Sequence, residues 1–479
     1  MWIDALQLEE GWFKDRHFDA CICGTGPAGI TVARRLASSG QSIALLEGGG
    51  VNSTVESQEL YVGDIIGLPY RPLNVARLRF LGGTSNHWTG YSRALDSRDF
   101  HGLPDERRRA WPIRKTDLDP YVHQADAILD VQFKRLPIDV VSGREELALN
   151  AYGKNPTRFA RKYEDELKKS DRTTLCLNSN LVDIKLDADQ RSVSAFVFRS
   201  YKGAASFEVR ARYFVLCLGG IENPRALLNA NRQMPRGIGN QHDLVGRYFA
   251  EHPIVSVGRA IMNPDRNHTR FYIAPTRVLL EDQCLSFQLE VEDRGTKELP
   301  TGRPCLLDFN QKVGAVLLSE ASDDCFDADI ELQMAQDVNE NSRVMLSNKT
   351  DKFGLQQIAL DWRLTELDGH TMRVAALAMG RRMATDNIGR MKLYSWLTES
   401  PTSLPPKFKG GCHHMCTTRM SDDPKRGVVD RNCRVFGVEN LYIGGSSVFS
   451  NSGLSNPTYT IVQLALRLGD HLNGRLERR

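Results

Sequence analysis

The sequence lacks several features that define whole classes of proteins. None of its ten cysteines forms a CxxC pair of the kind that holds zinc or an iron–sulfur cluster. No apolar stretch approaches the roughly 18 residues that a membrane-spanning helix needs. The amino terminus has no basic region followed by an apolar run and no twin arginine, so no secretion signal is indicated. We therefore expect neither a metal site nor a membrane partner.

The sequence has nearly equal numbers of basic and acidic residues. Lysine and arginine number 62 against 59 for aspartate and glutamate, and the basic residues are scattered, so a nucleic-acid partner is not expected. The densest basic run, residues 107–109, follows two acidic residues and is interpreted as a solvated turn. Cys21, Cys23 and Cys217 lie within apolar strand patterns. This placement favours free thiols in a reducing compartment, and we expect a cytoplasmic protein.

The chain is long enough for more than one hydrophobic core. A sequence of 479 residues with 41% hydrophobic and 25% charged residues is typical of a folded globular protein. Single cores stop growing at about 250–300 residues, so we expect a large domain with a smaller one folded around it. Two such lobes suggest a site between them.

A dinucleotide-binding pattern stands near the amino terminus. A short apolar strand over residues 18–23 runs into G-T-G-P-A-G, whose glycines are Gly24, Gly26 and Gly29, and a helical pattern follows. The first glycine permits a tight turn, the second lets the backbone approach a pyrophosphate, and the third lets the helix pack on the strand. The pattern predicts a βαβ unit with phosphates at the helix amino terminus.

A carboxylate stands where such a unit binds ribose. A second apolar strand, residues 42–46, ends on Glu47, which lies 21 residues after Gly26 and can accept hydrogen bonds from ribose hydroxyls. A lone GxGxxG is a weak signal, but strand, helix, second strand and acidic residue together make it a strong one. The motif alone does not choose between FAD and NAD.

Two further segments carry residues suited to chemistry. Residues 79–96 contain G-G-T-S-N-H-W-T, in which Gly82 and Gly83 let the backbone approach a flat ligand next to His87. Near the carboxyl end, G-C-H-H-M-C-T-T-R-M is followed by G-G-S-S-V-F-S-N-S-G-L-S-N-P-T-Y-T and an amphipathic helix over residues 461–472. Either histidine of the first run could act as a base.

These segments, together with F-V-L-C-L-G-G-I-E-N-P-R-A-L-L, resemble the glucose-methanol-choline (GMC) family of flavin oxidoreductases, and most closely its pyranose oxidase-like branch. The resemblance implies FAD as the cofactor. It also implies an α/β fold, with a Rossmann-like FAD-binding domain and a substrate domain built on an antiparallel sheet with flanking helices. The FAD-binding domain would comprise residues 1–115, 171–254 and 396–479, and the substrate domain residues 116–170 and 255–395.

Alternating and apolar patterns agree with that division. We predict strands over residues 174–186 and 207–218 in the FAD-binding domain, with the next helix opening at residues 222–224. In the substrate domain, alternation predicts strands that include residues 285–291, 315–318 and 357–364. A helix over residues 371–383 has methionines that we expect to lie in the core.

The resemblance also assigns cofactor contacts residue by residue. These are Gly24, Gly26, Gly29, Glu47, Gly82, Gly83, Asn86, His87, Thr89, Leu181, Gly445, Ser446, Asn456, Pro457 and Thr458. In pyranose oxidases, the histidine of a similar S-x-H-W-T turn is joined covalently to the flavin 8α-methyl group, and His87 occupies that position. Other family members hold FAD without the bond, so both arrangements stay open for this chain. Thr89 matches a threonine that bonds the flavin near N5.

The resemblance assigns catalysis to the carboxyl end. In the family, the histidine seven residues before the methionine of H-x-x-x-T-x-x-M faces the flavin, and counting back from Met420 gives His413. A neutral imidazole suits the removal of a hydroxyl proton. His414 competes for this role, although its position would point it elsewhere. Asn456 matches the partner residue that hydrogen-bonds the substrate oxygen, and Leu454 replaces a histidine found in many bacterial relatives.

The implied reaction is the FAD-dependent oxidation of a secondary alcohol on a pyranose sugar or glycoside to a keto-sugar. His413 takes the proton, hydride goes to flavin N5, and oxygen or another acceptor takes the electrons. Two alternatives stay open: a GMC dehydrogenase of a polyol, an aminosugar intermediate or a non-sugar alcohol, and a non-catalytic flavoprotein. The expected partners are a small-molecule alcohol and a redox acceptor, and a homo-oligomer is compatible with the sequence.

Overall fold

A computed structural model gives the structure of the chain. It describes residues 1–101, 110–131, 148–149, 153–202, 205–262, 271–273, 283–293, 326–385, 389–399, 404–405 and 407–478. The basic run at residues 107–109 and the predicted strand at residues 315–318 lie outside the described residues. Within the described part of the chain, no helix is both long enough and apolar enough to cross a membrane.

Both helices and strands occur along the chain, and among the described residues two stretches, 173–216 and 253–361, contain consecutive strands. The α-helices are α1 (Pro27–Ala37), α2 (Val55–Glu59), α3 (Leu73–Ala76), α4 (Ser97–His101), α5 (Val122–Leu129), α6 (Phe159–Lys169), α7 (Gly219–Asn229), α8 (Glu366–Thr385), α9 (Trp396–Glu399) and α10 (Thr458–Glu477). The strands are β1 (Trp2–Asp4), β2 (His17–Cys23), β3 (Ile43–Leu46), β4 (Gly63–Ile65), β5 (Tyr91–Ser92), β6 (Ala148–Leu149), β7 (Gly153–Lys154), β8 (Thr173–Leu177), β9 (Asn180–Leu186), β10 (Val193–Arg199), β11 (Ser206–Leu216), β12 (Pro253–Met262), β13 (Phe271–Ile273), β14 (Phe287–Asp293), β15 (Phe326–Met334), β16 (Arg343–Thr350), β17 (Gln356–Asp361), β18 (Gly389–Leu393), β19 (Lys409–Gly410) and β20 (Leu441–Ile443).

The main sheet has the order β1-β8-β3-β2-β11-β10-β9, with β20 beside β11. Its centre is parallel: β2 pairs with β3 on one side and with β11 on the other, and Ile22 lies opposite Leu45 and Val215. These strands are buried apolar runs, as parallel strands covered on both faces require. Helix α1 connects β2 to β3, so the predicted βαβ unit is confirmed.

The second large sheet has the order β18-β12-β15-β14-β13-β6, with β19 beside β12, and its pairings are antiparallel. Helix α8 packs on this sheet, and Met372, Met379 and Met383 are fully buried in the shared core. The predicted helix over residues 371–383 and the core position of its methionines are therefore confirmed. A smaller sheet has the order β16-β17-β4. Its strand β17 therefore pairs with β4, which comes from the amino-terminal part of the chain.

Two predicted elements differ from the structure. Residues 174–186 form two strands, β8 and β9, because the chain turns at Asn178, which adopts a left-handed conformation with φ of 57°. The helix expected to open at residues 222–224 begins at Gly219, so Pro224 lies inside α7. Proline cannot donate to the carbonyl four residues earlier, at Gly220. That carbonyl instead accepts a hydrogen bond from Thr417 Oγ1 at 2.5 Å.

Two helical glycines test how tightly the βαβ unit packs. A Cβ at Gly29, in α1, would lie 1.8 Å from Gly24 O, whereas a Cβ at Gly380, in α8, would have no heavy atom within 4 Å. We expect Gly29→Ala to lower the free energy of unfolding by about 1–3 kcal/mol through overpacking. Gly380→Ala should raise it by about 0.5–1 kcal/mol through helix propensity. Urea unfolding followed by circular dichroism measures both, and an unchanged Gly29→Ala midpoint would contradict the close packing.

Candidate active site

A single hydroxyl group joins three of the predicted cofactor segments. Thr25, between Gly24 and Gly26, donates through its Oγ1 and its backbone NH to Glu47 Oε2, at 2.6 and 3.0 Å. The same Oγ1 accepts from the Gly82 NH at 3.2 Å. Glu47 Oε1 also accepts from a backbone NH, that of Gly49, at 3.0 Å. The βα turn, the end of β3 and the glycine-rich turn therefore form one continuous surface.

This surface has room for a pyrophosphate. A Cβ at Gly26 would meet no atom within 4 Å, whereas one at Gly83 would lie 3.4 Å from Gly26 Cα, so the two turns face each other closely. Gly26 immediately precedes α1, whose first NH groups have no intrahelical partner and favour an anion. Gly29 packs against the Gly24 carbonyl. The donors and the open space fit the phosphates of a dinucleotide.

A cleft of about 540 Å³ continues from this surface toward β9. Its walls include Gly48, Arg79, Asn180 and Leu181. Asn180 Oδ1 is buried, and no group among the described residues donates to it, while Asn180 Nδ2 donates to Arg199 O at 3.1 Å. An unpaired buried acceptor is costly, and the amino group of an adenine would satisfy it. Leu181, one of the cofactor contacts that the resemblance implies, lines this cleft.

Hydrogen bonds from two side chains to backbone carbonyls fix the conformation of the glycine-rich turn. Asn86 Nδ2 donates to Leu81 O and Gly83 O at 2.8 and 2.9 Å. Arg158 donates to the carbonyls of Ser85 and Trp88 at 2.8 and 2.9 Å.

His87 and Thr89 are the exposed side chains of this turn. Partial desolvation, followed by the charges of Arg158 and Arg71, lowers the pKa of His87 below its ordinary value. The imidazole is therefore largely neutral at neutral pH.

The two carboxyl-terminal motifs lie side by side next to α7. Ser446 Oγ donates to His414 O at 2.6 Å, and the Cys416 NH donates to Ser446 O at 3.1 Å. Gly445 has φ of 109°, and its Cβ position lies 3.9 Å from the Ala28 side chain in the first turn of α1. These contacts bring the 444–460 segment to the dinucleotide surface.

Asn456, Pro457 and Thr458 lie at the start of α10, where Thr458 is the first helical residue. Leu454, which replaces the histidine of many bacterial relatives, is buried.

Four side chains meet where this segment approaches the antiparallel sheet. His413 Nδ1 lies 3.0 Å from His252 Nδ1, and His252 Nε2 lies 2.9 Å from Gly453 O. Gln333 Nε2 donates to Asn456 Oδ1 at 3.1 Å and lies 3.4 Å from His252 Nδ1. His252 is fully buried, whereas His413, Gln333 and Asn456 are partly exposed. The predicted pair His413 and Asn456 is thus linked through His252 and Gln333.

Burial keeps the histidines of this cluster neutral. Desolvation, followed by the neighbouring His252 and His414, holds the pKa of His413 well below its ordinary range. Desolvation lowers the pKa of His252 to about 4, and desolvation with the Arg77 charge lowers the pKa of His414 to about 3. A neutral imidazole has a free lone pair, which a general base needs.

His414 lies in a different environment from His413. Its ring packs between Tyr70 and Phe249, with ring centroids 5.9 and 6.1 Å away, and its Nε2 lies 3.9 Å from Glu251 Oε1. Its side chain is buried. This setting favours His413 over His414 as the residue that can reach a substrate.

A buried carboxyl group, that of Glu251, accepts hydrogen bonds from the backbone next to both histidines of the cluster. Glu251 accepts from the His252 NH at 3.0 Å and from the Tyr70 hydroxyl. Desolvation raises the pKa of Glu251 to about 7, and the hydrogen bonds from Tyr70 and from the backbone of residues 252, 413 and 411 oppose that rise. One side chain therefore holds the backbone on both sides of the His252–His413 contact.

Four residues of this site were not predicted from the sequence: Tyr70, Glu251, His252 and Gln333. The E-H-P run at the start of β12 was a signal for His252, because it places a charged and a polar side chain where a mainly apolar strand begins. Gln333 alternates with buried apolar residues along β15, so its pattern is that of an ordinary surface residue. Among the described residues, no group of three or more histidine, cysteine, aspartate or glutamate side chains is arranged to hold a metal.

The sequence is similar to a known family and to several known proteins. Residues 338–465 match the family model described as GMC oxidoreductase. The sequence is 23% identical to 2-methyl-1,2-propanediol dehydrogenase from Mycolicibacterium austroafricanum over 95% of both chains. It is 32% identical to pyranose 2-oxidase from Emericella nidulans, over 28% of this chain and 23% of that protein.

The fold has a match among solved structures. Pyridoxine 4-oxidase from Mesorbium loti superposes with a TM-score of 0.62 over 95% of this chain and 99% of that one, at 15% identity. At that identity the likeness establishes the fold, which is the α/β architecture expected from the sequence. The chain is similar to the GMC oxidoreductases over residues 338–465, a range that contains His413 and Asn456, and these comparisons together support an FAD-dependent oxidoreductase of CH–OH groups.

Proposed function

We propose that this protein oxidises a secondary hydroxyl group of a pyranose sugar or glycoside to a ketone, with His413 as the base. The observation that carries the proposal is the meeting of His413 and Asn456 in one partly exposed, uncharged cluster. A histidine and asparagine pair in the same sequence as an S-N-H-W-T turn is the combination that resembles pyranose oxidases. The partial similarity to pyranose 2-oxidase supports the same substrate class.

The hydrogen bonds leave one atom of each residue for the substrate. His413 uses Nδ1 toward His252, so Nε2 is the nitrogen that takes the hydroxyl proton. Asn456 Oδ1 accepts from Gln333, so Nδ2 is the group that donates to the substrate oxygen. Bound FAD supplies a hydride acceptor, N5, for the hydrogen on the carbinol carbon.

The residues that would hold the cofactor follow from the surface described above. The amino terminus of α1 would bind the pyrophosphate, Glu47 would bind the ribose, and the cleft lined by Leu181 would take the adenine. Gly82, Gly83, Asn86 and Thr89 would lie along the isoalloxazine on one side. Gly445, Ser446, Asn456, Pro457 and Thr458 would approach it from the other.

A second candidate substrate class has its own support. The match to 2-methyl-1,2-propanediol dehydrogenase spans nearly both whole chains, whereas the match to pyranose 2-oxidase is partial. A polyol or a non-sugar alcohol is therefore the alternative to a sugar ring.

Substrate screening by flavin absorbance separates the two classes. We expect the visible flavin band of the purified protein, held under argon, to bleach on addition of one or more pyranoses or glycosides. Readmitted air should restore the band quickly if oxygen is the acceptor. Bleaching by 1,2-diols alone would replace the sugar proposal with the polyol one, and no bleaching by any alcohol would remove both.

Paired histidine variants test the base. We expect His413→Gln to lower kcat by ~10²- to 10⁴-fold, the range typical for loss of a general base. His414→Gln should keep kcat within about tenfold, because His414 packs away from the substrate side. Stopped-flow rates of flavin reduction measure both, with FAD content as the control, and the reverse order would assign the base to His414.

A pH profile of the wild-type enzyme gives the same test a second readout. The pKa of His413 is held well below the 6.5 of an ordinary histidine. Its neutral, proton-accepting form therefore persists as the pH falls through 6.5. The acid-side loss of kcat/KM should consequently lie below pH 6.5, and a loss centred at or above that value would contradict His413 as the base.

We extend the proposal to His87 as the attachment point of a covalently held FAD. The bond would form between a neutral imidazole nitrogen and the 8α carbon, which would lose a proton, while the flavin itself would take up the two electrons and pass them to the acceptor. The lowered pKa of His87 favours the neutral imidazole. Denatured wild-type protein should show a flavin-fluorescent band on a gel, His87→Ala should not, and the exposed control His123→Ala should. Release of all flavin from acid-precipitated wild-type protein would exclude the covalent bond while leaving the FAD site intact.

A further inference from the structure

One backbone carbonyl fixes the direction of the hydrogen bonds around His252. Gly453 O can only accept, and it lies 2.9 Å from His252 Nε2. His252 must therefore carry a proton on Nε2 and donate it to Gly453. The choice of histidine tautomer, which is otherwise open, is settled here by the one partner that has no hydrogen to give.

The tautomer of His252 determines that of His413. Full burial, which lowers the pKa of His252 to about 4, keeps this imidazole neutral, so its Nδ1 bears a lone pair. His413 Nδ1 lies 3.0 Å from that lone pair and must be the donor. His413 therefore carries its proton on Nδ1, and its own lone pair is on Nε2.

The amide groups of the cluster follow the same direction. Gln333 Nε2 lies 3.4 Å from His252 Nδ1, but the single lone pair of that nitrogen is taken by His413 Nδ1–H at 3.0 Å. Gln333 Nε2 donates to Asn456 Oδ1 at 3.1 Å. Asn456 is thereby held with its oxygen inward and its NH₂ group free. The His252 Nε2–H, the His413 Nδ1–H and one N–H of Gln333 thus each have an acceptor among Gly453 O, His252 Nδ1 and Asn456 Oδ1.

We propose that His252 is a positioning residue that holds His413 in the Nδ1-protonated tautomer, so that the Nε2 lone pair is presented to the substrate hydroxyl. The proposal rests on the proposed function of His413. When Nε2 takes the substrate proton, the Nδ1–H of His413 keeps its bond to His252, and His252 itself gains and loses no proton. Because His252 is fully buried, it acts through His413 rather than on the substrate.

Three variants of His252 separate this role from structural support. Asparagine places an amide oxygen about where Nδ1 stood, so His252→Asn keeps an acceptor for His413 and loses the bond to Gly453. Glutamine places an amide nitrogen about where Nε2 stood, so His252→Gln keeps the bond to Gly453 and loses the acceptor. His252→Leu, which is close in shape to asparagine, loses both.

We expect kcat to depend on whether residue 252 offers a hydrogen-bond acceptor to His413 Nδ1. His252→Asn should stay within about tenfold of wild type, and His252→Leu and His252→Gln should each fall by ~10²-fold or more, toward the loss expected without a general base. FAD content and thermal unfolding midpoints show whether each variant is folded. If His252→Gln is as active as His252→Asn or more so, the bond to Gly453 is what matters and the proposal is overturned.

Two controls distinguish failure of this proposal from failure of the proposed function. In a His413→Gln background, the difference in kcat between His252→Asn and His252→Gln should vanish, because the residue being positioned is gone. If His413→Gln is itself fully active, the base assignment has failed instead.

The tautomer has a direct readout that requires neither a substrate nor a folded variant of His252. Solid-state ¹⁵N spectra of histidine-labelled wild-type holoenzyme, with the His413 signals assigned by their loss in His413→Gln, should show a protonated Nδ1 and an unprotonated Nε2. A protonated Nε2 on neutral His413 would overturn the proposal.

Discussion

The polar groups buried between the main sheet and the antiparallel sheet must find partners in each other, and this constraint organises the site. His252 and Glu251 lie directly before β12 of the antiparallel sheet, and His413 and Gly453 lie on the carboxyl-terminal segments. Their hydrogen bonds satisfy groups that would each cost about 1–3 kcal/mol if left unpaired in the interior. The same bonds fix the position of the base, so stability and catalysis share one network.

In the surface that fits a dinucleotide, buried polar groups are also paired with each other, but the groups involved are a threonine, a carboxylate and the backbone. There, a single threonine hydroxyl connects a carboxylate to the backbone of two glycine turns. The turns can approach each other because glycine has no Cβ, and the NH groups at the start of α1 are suited to binding an anion. The protein contributes geometry and donors here, and FAD contributes the redox chemistry.

Local patterns in the sequence predicted the local parts of this structure. The glycine spacing after β2, the buried strands and the methionine-bearing helix depend on neighbours a few residues apart, and these were correct. The strand predicted over residues 174–186 was wrong because its apolar pattern runs through Asn178, whose left-handed conformation turns the chain. The pattern around residues 222–224 misplaced the start of α7 because the freed Gly220 carbonyl is satisfied from a distant segment.

The active-site cluster was predictable only in part, because its contacts are long-range. Family resemblance singled out His413 and Asn456, but His252 meets His413 across 161 residues and Gly453 across 201. No periodicity or spacing carries that information. The neutral state of the imidazoles likewise depends on burial, which arises from packing of the whole chain.

Three glycines surround the segment that carries the base and limit how this protein can change. A Cβ at Gly220 would lie 2.1 Å from His414 O, one at Gly410 would lie 2.5 Å from the Tyr70 ring, and one at Gly411 would lie 2.6 Å from His413 Nδ1. A larger side chain at Gly220 or Gly411 would displace His414 or His413, and one at Gly410 would displace Tyr70, which bonds to Glu251. The backbone that carries the base therefore stays constant, and changes in substrate range are expected to arise from other positions of the site.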